Sequence, residues 1–354
     1  VTFSLTDTIT AQGKAVNVLL TSVGRRTYLV EYFRQALAGR GKVFAANTIS
    51  EVPGMSVADK GFVVPPASDP GYAQAVLRIC IDHNVRVVFS LHDWEAPFLA
   101  AAAERFRQRG IVLGVSDAEI IELCLDKCKT GGFAHDHGFA FPTTVTTLAA
   151  AREALSSGRL RFPLVMKPRR GQGSIGLDIV EEEWELELCH RRGLRNCLRM
   201  SSNGLLARDG DESLLIQEHV EGTEYGLDVV NDLAGRFACC FVKRKLGMRA
   251  GETDAAETVS SDLLEAFGRR LGESLHHIGM LDVDVILRRD TPYLLEMNPR
   301  FGGHYPFSHA AGANIPAALI AWVSGEPVRA EWLRVQPGIK YFKGLSLIKA
   351  PSGL

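Results

Sequence analysis

The 354-residue sequence carries almost no excess charge: 40 Lys+Arg stand against 41 Asp+Glu. Without a general positive field nothing holds a phosphate backbone or an anionic membrane, so nucleic acid is not an expected partner and any anion must meet a local site. Nor does any run approach the roughly 18 uninterrupted apolar residues that a membrane-spanning helix needs. Val1 to Lys14 lacks the basic and apolar regions of a signal peptide, which leaves a cytoplasmic protein with no membrane partner as the expectation. The seven cysteines are odd in number and form no CxxC, so reduced and mostly buried thiols are expected. Cys124 and Cys128 lie one helical turn apart, but two ligands without a neighbouring Cys/His pair make a weak zinc case. Also missing are an internal repeat, a GxGxxG fingerprint and the GKS/GKT ending of a Walker A loop.

What is present alternates. From Asn17 to Val115 the runs NVLLTS, KVFAAN, FVVPP, VRVVFS and IVLGV read as strands, with helices near Thr27 to Ala38, Asp69 to His83 and Asp93 to Arg109. This pattern predicts a parallel sheet covered by helices. The turn Ser22-Val-Gly-Arg-Arg26 reads as a glycine turn with two solvated arginines. Ser116-Asp-Ala-Glu119 reads as a capping box that opens the next segment. A helix from Leu148 to Ser156 leads into the strand Pro163 to Lys167, then come Gly171, Gly173 and Gly176, a strand Leu177 to Val180, and a charged helix Glu181 to Arg192. Arg199 to Asp211 reads as a mobile polar loop. Antiparallel patterns follow at 214–220, 225–231 and 236–243, then a helix over 261–278 and a hairpin over 281–299. The tail after Ala330 has no readable pattern.

The hairpin LDVDVILRRDTPYLLEMNPR carries the most chemistry. A three-residue loop of Arg289, Asp290 and Thr291 would pair Arg288 with Pro292, Ile286 with Leu294 and Asp284 with Glu296. Asp282 and Asp284 then share a face with Glu296 and Asn298. Two carboxylates standing opposite each other are unfavourable unless a cation lies between them. Magnesium suits such oxygens, so Asp284, Glu296 and Asn298 form a candidate Mg-ATP shelf. An exposed hairpin whose acids face water would look the same, and a loop one residue longer or shorter would separate the acids.

Two further elements are weaker alone. Lys167 precedes a glycine loop whose backbone N–H groups could face phosphates, although a surface hairpin ending in a lysine reads alike. The strand Ile216-Gln-Glu-His-Val220 ends in an acidic turn, where backbone groups can meet an adenine edge and Glu224 can accept from ribose hydroxyls. Together with Asp126-Lys127, Val165-Met-Lys-Pro168, Glu224-Tyr-Gly226, Asp282-Val-Asp284, Glu296-Met-Asn-Pro-Arg300 and Gly302-Gly303, these pieces resemble the ATP-grasp superfamily. The likeness is to single-unit enzymes similar to the large subunit of carbamoyl-phosphate synthase, over roughly Asn17 to Val328.

The resemblance implies an α/β and α+β chain with the ATP-grasp fold. A Rossmann-like parallel-sheet domain would occupy 1–118, linker helices and a small lid 119–213, an antiparallel-sheet domain 214–330, and a tail 331–354. It implies that Lys127 and Lys167 contact phosphates with Gly173 and Ser174 of the loop. Glu218, His219 and Val220 would frame adenine, Glu224 would take the ribose, and Asp284, Glu296 and Asn298 would hold magnesium, or manganese in its place. Arg300 would act on the transferred group, and Gly302 and Gly303 would offer amides to the substrate. Arg249 is a candidate substrate contact in the cationic run Val242 to Glu252, where Lys243 and Lys245 suit a solvated strand edge. His304 is a candidate on the amine side.

The reaction so implied is ADP-forming ligation of a small carboxylate, such as an amino acid or metabolite, to an amine through an acyl phosphate. A bicarbonate- or carbamate-phosphorylating enzyme and a non-catalytic nucleotide-binding module remain as alternatives. Composition leaves dimerisation open.

Overall fold

A computed structural model of the protein describes residues 15–171, 173, 175–200 and 209–349. Val1 to Lys14, Ser174 and most of the polar loop Arg199 to Asp211 lie outside the described residues. Among the described residues no helix is long and apolar enough to cross a membrane.

Three sheets organise the chain. The first is fully parallel and holds β1 (Asn17–Thr21), β2 (Val43–Asn47), β3 (Lys60–Val63), β4 (Val85–Ser90) and β5 (Val112–Leu113) in the order β3-β2-β1-β4-β5. Buried on both faces, β1 and β4 need near-continuous apolar side chains, which is how they read in the sequence. The strand order reverses between β1 and β4, so the loops that leave their C-terminal ends diverge and open a crevice.

The second sheet is small and antiparallel: β6 (Thr144–Val145), β7 (Leu164–Pro168), β8 (Asp178–Val180) and β9 (Leu214–Glu218), ordered β6-β9-β7-β8. The third is antiparallel with six strands: β10 (Thr223–Asn231), β11 (Phe237–Arg249), β12 (Glu252–Val259), β13 (Gly279–Arg288), β14 (Thr291–Asn298) and β15 (Lys340–Phe342), ordered β14-β13-β10-β11-β12-β15.

First and third sheets share one core. The helix Thr27–Leu37 packs Phe33 between Phe89 of β4 and Phe301 beyond β14, with ring centroids 5.2 and 5.9 Å away, and the helix Ile315–Ser324 joins the same cluster. Burying one such ring contributes about 2 to 3 kcal/mol. The crevice between β1 and β4 is thereby held over the face of the third sheet.

Several expectations are corrected. Ser116 does not cap a helix; Asp117 precedes the helix Ala118–Leu125 without a side-chain cap bond, and Ser116 Oγ instead accepts from Ile278 N at 2.9 Å. The helix expected over Asp93 to Arg109 is two short ones, Ala96–Ala101 and Ala103–Arg107. The charged helix continues to Met200. β12 carries no clear alternation in the sequence and is an additional strand, while the tail supplies β15 as an edge strand paired with it.

The hairpin of β13 and β14 reaches its expected geometry by a different route. Its loop has two residues, Arg289 and Asp290, with Arg289 at φ 55°, so Arg288 pairs with Thr291. A bulge between Asp284 and Val285 in this register then absorbs one residue, Leu295, and restores Asp284 opposite Glu296 and Asp282 opposite Asn298.

Candidate active site

Because cross-strand partners share a face, the registers of the third sheet fix the site. One row reads Phe241, Asp228, Asp282, Asn298 and the next Lys243, Gly226, Asp284, Glu296. Two residues further on lie Lys245 and Glu224. This face would crowd five carboxylates were it not threaded with cations. Lys245 Nζ donates to Glu224 Oε1 at 2.6 Å and to Asp284 Oδ1 at 2.7 Å, and Lys127 Nζ lies 3.6 Å from Glu296 Oε2. Burial works against the Lys245 charge, but Asp284 and Glu224 outweigh it and hold its pKa above the usual range.

Lys243 and Lys245 are therefore not a solvated edge. Lys243 is wholly buried and ion-pairs with Asp228, while also donating to Ser308 Oγ at 2.9 Å. Beneath the shelf the charges continue. His304 sits between Asp228, 3.1 Å from its Nδ1, and Asp282, which contacts its Nε2. Burial disfavours the imidazolium, yet Asp282 and Asp228 raise the His304 pKa. The ring lies over Gly226, where a Cβ would stand 2.7 Å from it, so the third residue of Glu224-Tyr-Gly226 has to be bare. Arg300 spends its guanidinium on Asp93, at 3.0 and 2.8 Å, and on Asp282, at 3.0 Å. Burial opposes the Asp282 charge, but His304 and Arg300 hold its carboxyl well below the usual carboxylate range. Arg300, expected on the transferred group, thus stands in the wall as a clamp between the first and third sheets.

Two adjoining cavities meet over this face. One, of about 460 Å³, is lined by Lys127, Lys167, Glu218, His219, Val220 and hydrophobic side chains of the second sheet. The other, of about 470 Å³, reaches Asn298, Arg300, Gly303 and His304 and continues to the Ser22 to Arg26 turn and His92. Glu224, Asp284 and Glu296 border both. In the first cavity Lys127 Nζ donates to Gly171 O at 2.7 Å, while Lys167 has no bonded partner among the described residues. Burial and then Lys127 lower the Lys167 pKa to about 8. Glu218 has its N–H taken by Thr143 O at 2.8 Å and its carboxylate by Arg288 at 2.8 Å, so of its backbone only the carbonyl is left for a ligand. Gly173 lies over the second cavity, against the β11–β12 turn, where a Cβ on Gly251 would come 1.8 Å from the Gly173 carbonyl.

Arg249 is not brought in. Met248 and Ala250 line the cavities, and the alternation of β11 turns Arg249 away to Asp254 Oδ1 at 2.8 Å. Gly302 packs against the Asp282 carboxylate rather than lining the space. Sequence reasoning missed the Arg25–Arg26 wall and Lys245.

A divalent ion has a fitting donor set. Among the described residues, the potential ligand atoms of Asp282, Asp284 and His304 fall within 4.8 Å of one another. Asp282 and His304, however, are committed to each other and to Arg300. Asp284 and Glu296 face each other with ammonium groups alongside, and the Asn298 side chain has no bonded partner among the described residues, so Asp284, Glu296 and Asn298 are the oxygens suited to a hard cation.

Residues 18–113 match the family model described as the N-terminal domain of PylC-like proteins. Residues 210–343 match the one described as ATP-grasp in the biosynthetic pathway with Ter operon. Over 273 residues the chain is 27% identical to the carbamoyl phosphate synthase large chain of Rubrobacter xylanophilus, covering 74% of this chain and 24% of that protein. The chain thus spans about a quarter of the length of that curated relative. In fold it is similar to a biotin carboxylase of Campylobacter jejuni, with TM-score 0.70 and 14% identity over 90% of this chain and 73% of that one. It is also similar to an L-amino acid ligase of Bacillus licheniformis, with TM-score 0.66 and 19% identity over 92% and 79%. A third likeness is to N5-carboxyaminoimidazole ribonucleotide synthetase of Thermus thermophilus, with TM-score 0.66 and 18% identity over 91% and 81%.

Proposed function

We propose that the chain, whose residues 210–343 match an ATP-grasp family model, is an ATP-dependent, ADP-forming ligase that joins a small carboxylate to an amine. The observation that carries this reading is the partition of the cleft. Asp284 and Glu296 stand on the border between two cavities of similar size, one walled by lysines and apolar side chains and the other by polar groups of the first sheet. A nucleotide in the first would present its terminal phosphate at the border to a molecule in the second.

Lys127 and Lys167 would meet the phosphates, Glu224 the ribose, and the strand end Glu218 to Val220 the adenine. Asp284, Glu296 and Asn298 would hold magnesium, which when bound offsets phosphate charge. A carboxylate oxygen then attacks the γ-phosphorus, the bond to the β–γ bridging oxygen breaks and ADP leaves. The amine nitrogen next attacks the acyl carbon, expels inorganic phosphate and gives up a proton. Lys245, between Glu224 and Asp284, would face the transferred group.

The size of the second cavity favours an organic acid over bicarbonate. At about 470 Å³ it is many times the roughly 30 Å³ that one water takes in the liquid. The test is phosphate release from MgATP across carboxylates crossed with amines, with mass spectrometry of the product. Carboxylate-dependent turnover is expected, and Glu296→Gln should remove at least about 99% of it with the fold intact. Turnover indifferent to every carboxylate, or unchanged in Glu296→Gln, would sink the reading.

A further inference from the structure

Cations around the cleft divide into matched and unmatched. Lys245, Arg300 and His304 are each ion-paired with two carboxylates, and Lys127 with Glu296. Unmatched are Lys167, in the nucleotide half, and the pair Arg25 and Arg26 on the far wall of the second cavity. Among the described residues the Arg25 side chain has no bonded partner, and Arg26 donates to the Leu91 carbonyl and meets the Tyr28 hydroxyl, without a carboxylate partner.

This wall is built rather than loose. Glu95, buried in the loop after β4, accepts from Ser22 Oγ at 2.6 Å, Tyr72 Oη at 2.7 Å, Ser90 Oγ at 2.7 Å and also from Thr21. Four hydroxyls on one carboxylate tie the loop after β1 to the loop after β4. They hold Ser22 at φ 48°, a conformation rare for a residue with a side chain. Gly54 N donates to Gly24 O at 2.8 Å from the other side. The arginines are thus presented on a fixed turn at the point where the strand order of the first sheet reverses, which is where ligands of such sheets lodge. Glu252, which also lines this cavity, has Lys343 of the tail 3.5 Å away.

Resting on the ligase reading, we infer that the carboxylic acid activated here carries a second anionic group, a carboxylate or a phosphate, which Arg25 and Arg26 receive. Its reacting carboxylate lies at the border with the nucleotide, and the remote anion lies against the turn, within the same cavity. A guanidinium pair matches the planar oxygens of either group.

The test compares acids that differ only at the remote end: glutarate against pentanoate, and 3-phosphoglycerate against glycerate, each with MgATP and the amine panel, using the full chain. Acids with a second anion should exceed their singly charged analogues by about ten-fold or more in kcat/KM, and the better pair identifies whether that anion is a carboxylate or a phosphate. Arg25→Ala and Arg26→Ala should raise KM for the acid by about ten-fold and leave KM for MgATP unchanged. Arg25 is exposed, so its variant keeps the fold; Arg26→Ala is checked by its thermal midpoint. Independently of turnover, glutarate or 3-phosphoglycerate is titrated calorimetrically into the MgADP-saturated chain, which covers the phosphate lysines. The acid of the better pair should bind less tightly to Arg25→Ala. Singly charged acids used equally well, or affinity unchanged in both variants, would overturn the inference. Absence of turnover with every acid, while Arg25-dependent binding persists, would instead sink the ligase reading alone.

Discussion

Two sets of charges meet over one face of the third sheet and differ in whether they are already satisfied. On the floor, Asp93, Arg300, Asp282, His304, Asp228 and Lys243 are shielded from solvent and ion-paired in an unbroken chain that runs from the loop after β4 and ends on Ser308. On the shelf above, Lys167 is the member whose ammonium lacks a bonded partner among the described residues, whereas Lys127 has Glu296 at 3.6 Å. Buried charges that have partners act as frame, because losing one partner strands the other. Charges that lack them store unfavourable energy that a ligand of opposite sign relieves. The floor should therefore govern stability and the shelf affinity.

The most severe way to break this contrast is Asp282→Asn. It leaves the His304 imidazolium and the Arg300 guanidinium short of a counter-charge in the core, at a cost of about 3 to 5 kcal/mol. Urea titration should show a lower midpoint at an unchanged slope. An unaltered midpoint would mean that the floor is not frame.

Lys245 stands on the boundary between the two sets, bonded as the floor is yet lying between a metal-shelf acid and Glu224. Replacing it by methionine should lower turnover by about ten- to a hundred-fold. The same change should tighten Mn2+ binding in the absence of nucleotide, since no ammonium then competes for Asp284. Titration followed by electron paramagnetic resonance separates the two effects. Weaker metal binding would place Lys245 among supporting groups of the shelf.

The contrast was only half legible in the sequence. Alternation and the acid spacing of the β13–β14 ribbon were enough to bring Asp284, Glu296 and Asn298 to one face, although the loop was misjudged and an unforeseen bulge at Leu295 restored the register. Lys243 and Lys245 defeated the reading because burial of a lysine depends on which acids the neighbouring strand offers. That follows only once β10 is seen between β11 and β13. The Arg25–Arg26 wall was invisible for a similar reason. Its support, Glu95, lies some 70 residues away and is bonded through hydroxyls that carry no spacing signal. Parallel strands and helices of the first sheet were readable because their periodicity is local.

The smallest expected effect sharpens the contrast most finely, because it asks whether a shelf charge can be counted. Burial, with Lys127 next to it, lowers the Lys167 pKa from 10.5 to about 8. At pH 7 the free protein already holds this proton, so MgADP binding should take up almost none. Near pH 9 most of the free protein lacks it, and a polyphosphate that favours the ammonium should draw up a fraction of one proton on binding. Calorimetry in two buffers of different ionisation enthalpy reads this uptake, and nucleotide affinity should weaken as pH rises past about 8. Stability moves the other way. Between about 8 and 10.5 the unfolded chain holds more protons than the folded one, so the cost of burying this lysine is full below pH 8 and relaxes as pH rises. Lys167→Met should abolish both slopes without lowering the urea midpoint. Were the midpoint to fall as it does for Asp282→Asn, Lys167 would belong to the frame and the division between floor and shelf would fail at its clearest member.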